Sequence, residues 1–297
     1  MKRLFLFSIL AFTLALALYG GTLTARAENP TATPSPSGTP AASPTPTPTF
    51  TPSPTPEPVK PVGWALVNVP PRGVLRMRSW AGTEYRIVGA LAPQQKDVPL
   101  TGVTWGERPR IWYQVRRSGG GVGWISSYYV VEYVPPADFC RDTRVEALLT
   151  DLTTAIKNED GEALSALVSP MHGMTVRLAP KGVSVNYLRY VPYLFTSTYP
   201  VNWGRPSAAS SAVIAPFKDA FGPRLQAVFG TAYEKSCNDA SKVSGVEQPW
   251  PEEYANVNFY TLYVPPKEGE STGRAWLVGV DYVDGKPYVF ALLYYGP

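Results

Sequence analysis

The sequence predicts a multidomain chain in which a small all-β barrel precedes an α+β domain with its helices first and an antiparallel sheet last. Three observations carry that expectation. Short apolar runs punctuated by glycine-rich or polar turns fill residues 64 to 125, an amphipathic helical period begins after Pro135-Pro136, and long apolar runs joined at Asp284-Gly285 close the chain. A length of 297 residues allows two modest domains once the non-globular N-terminal segments are set aside.

Those segments come first. Lys2 and Arg3 precede an uncharged apolar run from Leu4 to Leu18, and Ala25-Arg26-Ala27 places small residues where a signal peptidase cuts, so residues 1–27 are expected to be a signal peptide. The alternative is an uncleaved anchor, since the stretch to Ala25 is about the 20 residues that cross a bilayer. Membrane attachment is expected only in that case. Residues 28–61 alternate Thr or Ser with Pro and hold Phe50 as their only aromatic, too little apolar surface to offset ordering entropy, so they are expected to be a disordered tether.

Removing Lys2, Arg3 and Arg26 lowers the net charge from +4 to +1, so the basic character of the whole chain belongs mostly to the leader. Residues 62–135 hold nine basic and four acidic side chains, whereas 136–297 hold fourteen and seventeen. The first part therefore favours an anionic partner. Two cysteines, Cys140 and Cys237, in a chain expected to leave the reducing cytoplasm are expected to form one disulfide.

From Gly63-Trp64 onward the strands are expected at Val74 to Arg78, Ile87 to Leu91, Val98 to Val103, Ile111 to Val115 and Gly123 to Ile125. Leu75 and Met77 alternate with Arg76 and Arg78, one face for a core and one for water. Leu75-Arg76-Met77-Arg78-Ser79, Gly82-Thr83-Glu84-Tyr85 and Val88-Gly89-Ala90-Leu91, followed by Trp112-Tyr113-Gln114-Val115 and Gly123-Trp124-Ile125-Ser126-Ser127-Tyr128-Tyr129, resemble the opening and closing motifs of bacterial SH3 (SH3b) domains. The resemblance covers residues 62–135 and implies an SH3-like barrel that binds a wall polymer, a peptide or an envelope protein. Trp80 and the Thr101 to Pro109 insertion depart from the pattern and bear on groove shape.

Residues 136–297 begin with Val145, Leu148, Leu149, Leu152, Ala155 and Ile156 on one helical face, with Asp142 as cap and Asn158 to Gly161 as stop. A second short helix is expected around Leu164 to Val168, and a third over Pro216 to Phe229, kinked by Gly222-Pro223. Strands follow over Val257 to Val264, Ala275 to Val283 and Tyr288 to Tyr295, the last two joined by a hairpin at Asp284-Gly285. This order is similar to that of NTF2-like α+β domains.

Chemistry-bearing residues are sparse. One histidine, His172, cannot serve a cysteine nucleophile that is in a disulfide, nor supply a catalytic zinc, so no metal, cofactor or catalytic residue is assigned. His172 is expected in a turn, capping or solvent-exposed. Glu159, Asp160 and Glu162 read as a solvated, capped turn, and Asp281 and Asp284 as hairpin residues. Gly119-Gly120-Gly121-Val122-Gly123 precedes a strand, which makes it a turn and not a phosphate cradle. Trp80, Tyr85, Trp105, Trp112 and Tyr128, interleaved with Arg76, Arg78, Arg108 and Arg110, are the candidate ligand groove, with Trp124 in the core. Export and near-neutral charge argue against nucleic acid. The expected function is non-enzymatic binding in the cell envelope, and the alternative is a carboxylate-dependent wall hydrolase in residues 136–297 targeted by the SH3b-like part.

Overall fold

A computed structural model describes residues 58–207, 210–243 and 245–297; the expected signal peptide and most of the expected tether lie outside them. Strand β1 (Gly63–Leu66) is followed by β2 (Leu75–Arg78), β3 (Ile87–Leu91), β4 (Leu100–Trp105), β5 (Trp112–Arg116) and β6 (Val122–Ser126). The last five form one sheet in the order β3-β2-β6-β5-β4. A 3-10 turn, Ser127–Tyr129, leads into β7 (Val130–Tyr133), which returns to pair antiparallel with β1.

Side-chain alternation explains this sheet. Leu75 and Met77 are buried, and with Leu91, Val98, Val115 and Ile125 they fill its inner side, while Arg76 and Arg78 point outward. The β5–β6 hairpin turns on Gly120 and Gly121, whose φ values of 87° and 76° favour glycine. Strand β4 starts two residues later than expected. The Val98 amide bonds the Trp64 carbonyl at 2.9 Å and Pro99 has no N–H to donate, so ladder pairing begins at Leu100.

Beyond β7 come α1 (Pro136–Phe139), α2 (Thr143–Lys157) and α3 (Gly161–Leu167). Asp142 caps α2 by accepting the Arg144 amide at 3.0 Å, and the expected apolar stripe is its buried face. Asp160 caps α3, accepting the Ala163 amide at 2.9 Å. Next are β8 (Met174–Leu178), β9 (Val185–Tyr187), the short ladder of β10 (Val201–Asn202) with β11 (Ile214–Ala215), and α4 (Phe217–Phe229), which carries Pro223 within it. Strands β12 (Glu234–Cys237), β13 (Asn258–Val264), β14 (Arg274–Val283) and β15 (Lys286–Tyr295) complete a six-stranded sheet in the order β12-β13-β14-β15-β8-β9. The described residues thus combine β-sheets with four α-helices.

This sheet is mixed, not antiparallel as expected, because β8 pairs parallel to β15. Strand β8 comes from a short run, Met174-Thr175-Val176-Arg177-Leu178, whose partner lies more than a hundred residues later, so no hairpin signal marks it. The hairpin at Asp284-Gly285 forms as expected, with both residues at positive φ, 53° and 71°.

Strands β14 and β15 are buried almost throughout, which requires cover on both faces. Trp276, Val278, Val280, Leu292 and Tyr294 pack against α2 and α4. Ala275, Leu277, Phe290, Leu293 and Tyr295 on the other face pack against Ala65, Val67 and Val131 of the β1–β7 ribbon and against Tyr254, Val257 and Phe259. The ribbon itself is two-sided: Leu66, Val69 and Val130 join the core of the five-stranded sheet. All described residues accordingly fall within one compact unit, Thr55–Pro297. At its start Val59, expected within the tether, packs on the helical core, and its carbonyl accepts Arg144 Nη2 at 2.5 Å.

Cys140 and Cys237 form the expected disulfide, with Cα atoms 5.8 Å apart and the two residues 97 positions apart in sequence. It ties edge strand β12 to the end of α1. Replacing both cysteines by serine should lower unfolding free energy by about 5 kcal/mol, the loop-closure contribution for a ring of that size. Urea denaturation would measure it, and a loss below about 1 kcal/mol would show that the bridge constrains little.

Candidate functional site

The outward face of the five-stranded sheet gathers most of the aromatic and basic candidates. Register pairs place Trp105 opposite Trp112, Trp112 opposite Ser126, and Gln114 and Arg78 each opposite Trp124. Directly opposed residues share a face, so these side chains and Arg76 look outward while Val115 and Ile125 look into the core.

A groove of about 760 Å3 runs along this face, walled by Arg72, Arg76 and Arg78 on one side and by Trp112, Ser126, Tyr128 and Tyr129 on the other. No Asp or Glu lines it. Arg78 donates from Nη1 to the Tyr85 carbonyl at 3.0 Å, whereas Arg72 and Arg76 form neither an ion pair nor a hydrogen bond among the described residues. The 3-10 turn aims its two tyrosines: Ser126 caps it, Asn68 donates to the Tyr128 carbonyl at 3.0 Å, and the rings of Tyr128 and Tyr129 meet edge to face with centroids 5.0 Å apart. Burial, and then the neighbouring Tyr129, push the Tyr128 hydroxyl pKa upward, so it stays a neutral donor.

The candidates do not form one groove, as expected, but two neighbouring groups. Arg78, Trp112 and Tyr128 line the groove, whereas Trp80, Tyr85 and Trp105 do not. Trp80 and Trp105 stand 6.0 Å apart by ring centroid and are 43% and 57% exposed. Trp124 is buried, as expected, and lies on the outward face beneath Trp80, with ring centroids 5.0 Å apart. Tyr85 is half exposed and contributes its carbonyl to Arg78. Arg108 is taken up by an ion pair with Asp284 at 2.5 Å. Arg72 and Tyr129 were missed. Arg72 lies in a Pro70-Pro71-Arg72-Gly73 turn, outside any strand whose alternation would have pointed it anywhere.

His172 departs furthest from expectation. It is 3% exposed, not a solvated turn residue. Its Nδ1 meets Asp281 Oδ2 at 2.6 Å, and its Nε2 lies 3.2 Å from the Ser127 carbonyl oxygen. A carbonyl only accepts, so the ring donates from Nε2 to Ser127. Asp281, expected at a hairpin, sits on β14 fully inside, and its Oδ1 has no hydrogen-bond partner. Ser169 Oγ donates to Asp281 Oδ2 at 2.8 Å and accepts the His172 amide at 3.1 Å. The serine therefore contacts the carboxylate and not the imidazole, which is the wrong order for an activated nucleophile. The trio is a buried clasp: it joins the 3-10 turn beneath the groove to the six-stranded sheet.

A second cavity of about 420 Å3 lies over this clasp, lined by Pro109, Arg110, Trp112, Ser126 and Tyr128 from one side and Met171, His172, Asn186 and Leu188 from the other. Glu159, Asp160 and Glu162 form the exposed, capped turn expected of them, and Asp284 takes the hairpin turn. Near the clasp, burial raises the Glu132 carboxyl pKa against the pull of the Asp284 and Gly285 amides that it accepts. Among the described residues no group of three or more His, Cys, Asp and Glu could hold a metal ion.

Comparison with protein-family models, with curated proteins and with solved structures gives no match for this chain. Replacing either His172 or Asp281 by alanine should cost about 1 to 3 kcal/mol, since each leaves buried polar atoms of the other unsatisfied. The double variant should lose clearly less than the two single losses combined, as a double-mutant cycle by urea denaturation would show. Additive losses would mean that the pair is not coupled.

Proposed function

We propose that this is an exported, non-enzymatic binding protein of the cell envelope. In this reading residues 62–135 are an SH3b-like barrel, preceded by a cleaved leader and a tether, and residues 136–297 are the α+β part that supports it. The groove binds an anionic wall peptide or glycan, or an acidic segment of an envelope protein. The observation that carries the reading is the set of three arginines facing Trp112 and Tyr128 in a groove without a carboxylate. Two of them have no side-chain partner among the described residues, so a ligand anion gains charge-assisted hydrogen bonds without breaking an existing pair there.

Two further features support it. A disulfide across 97 residues fits an oxidising compartment. Neither the groove nor the cavity over the clasp has an Asp or Glu in its lining, as an acid pair acting on a glycosidic bond would need. Among the described residues no helix is long and apolar enough to cross a membrane.

Co-sedimentation with purified cell walls tests the proposal. The Arg72→Ala, Arg76→Ala double variant should bind on the order of tenfold more weakly, equivalent to about 1.4 kcal/mol, and show a flatter salt dependence. Unchanged pelleting would reject this groove. Fragments of wall released into the supernatant would reject the non-enzymatic reading.

A further inference from the structure

Resting on that reading, we infer that the ligand site does not end at the five-stranded sheet. It crosses Trp112, Ser126 and Tyr128 into the cavity over the clasp, and its occupant is an extended peptide with a free carboxylate.

The two cavities share those three residues as a common wall, so a ligand lying along the groove meets the second cavity without leaving the surface. The far wall belongs to the other part of the fold, through Asn186 of β9 and Leu188 just after it. Asn186 donates its amide hydrogens inward, to the His172 carbonyl at 2.9 Å and the Thr175 hydroxyl at 3.1 Å. Those bonds fix the orientation of the amide and leave Oδ1 without a donor among the described residues. The site then offers Arg72, Arg76 and Arg78 at one end, aromatic faces in the middle, and an acceptor and an apolar wall with Arg110 at the other.

That order of groups selects the ligand class. A carboxylate matches the planar fork of arginine in two-point contact. An extended peptide presents N–H donors along its length, one of which reaches Asn186 Oδ1, and its apolar side chains lie against Trp112 and Leu188. A neutral glycan would stack on the aromatic rings but leave Arg72 and Arg76 unmatched.

The clasp makes the geometry dependable. His172 bonds the Ser127 carbonyl, one residue before Tyr128, and the His172 carbonyl holds Asn186. The two sides of the proposed site are thereby joined through one buried residue.

The experiment uses the full chain labelled with 15N, titrated with acetyl-pentaalanine and acetyl-dialanine, each with a free C-terminal carboxylate, with their C-terminal amides and with chitotetraose. The longer acid should move the Trp112 indole and Asn186 carboxamide signals together, and the shorter acid the Trp112 signal without Asn186. Both amides should bind more weakly. Asn186→Ala and, separately, Leu188→Ala should weaken the longer acid about fivefold, the effect of roughly one hydrogen bond, and leave the shorter one unchanged. Leu188→Ala guards against a folding defect, because it removes no internal hydrogen bond of Asn186.

If the longer acid moves Trp112 but not Asn186, and neither variant matters, the site is confined to the sheet; the inference falls and the proposed function stands. Chitotetraose moving the groove signals where the peptides do not would also overturn it, in favour of a glycan. Protein that neither responds to any probe nor pellets with walls loses the functional reading as well.

Discussion

The two-sided burial of the β1–β7 ribbon is the constraint on which the rest of the structure depends. Leu66, Val69 and Val130 face the core of the five-stranded sheet, while Ala65, Val67 and Val131 face Leu277, Phe290 and Leu293 of the six-stranded sheet. A fully buried aliphatic side chain contributes about 1.5 to 3 kcal/mol, and a whole domain is stable by about 5 to 15 kcal/mol. A handful of such residues is therefore comparable to the total, and neither sheet could expose its side of the ribbon without a large loss. Polar groups seal the same seam. Asn256 donates to the carbonyls of Leu66 at 2.9 Å and Gln94 at 3.0 Å, and Asn258 donates to that of Val134 at 2.8 Å.

The groove inherits its shape from that seam. Strand β7 begins at Val130, immediately after the turn that carries Tyr128 and Tyr129, and Asn68, which holds the Tyr128 carbonyl, follows β1. Pairing of the ribbon thus sets where the aromatic wall stands relative to Arg76 and Arg78 on β2. The His172–Asp281 clasp fixes the same turn from below. A surface loop would not give such fixed placement. Here Arg76, Arg78 and Trp112 rest on strands and Tyr128 on a turn held from two sides, which limits the entropy lost when a ligand binds.

Legibility in the sequence followed the range of the interactions. Strands β2, β3 and β6, helix α2 with its Asp142 cap, and the Asp284-Gly285 hairpin were readable because local period and turn chemistry determine them. The alternation of Arg76 and Arg78 with Leu75 and Met77 likewise showed which groups face outward. What depended on partners distant in sequence was not readable. The parallel addition of β8 to β15, the burial of His172 against Asp281 and the lid of Trp80 over Trp124 join residues 40 to more than 100 positions apart. A chain with one histidine offers no periodicity to place it, and only an apolar neighbourhood such as Met171 and Met174 hinted that it lies inside.

Residue-resolved urea unfolding of the full chain by NMR shows whether the ribbon fuses both sheets into one cooperative structure. Amides of β5 and β6 should lose their native signals at the same denaturant concentration as those of β14 and β15, as in a single two-state transition. Distinct midpoints, with the five-stranded sheet surviving the loss of the six-stranded one or the reverse, would contradict the account and mean that the ribbon belongs to one sheet alone.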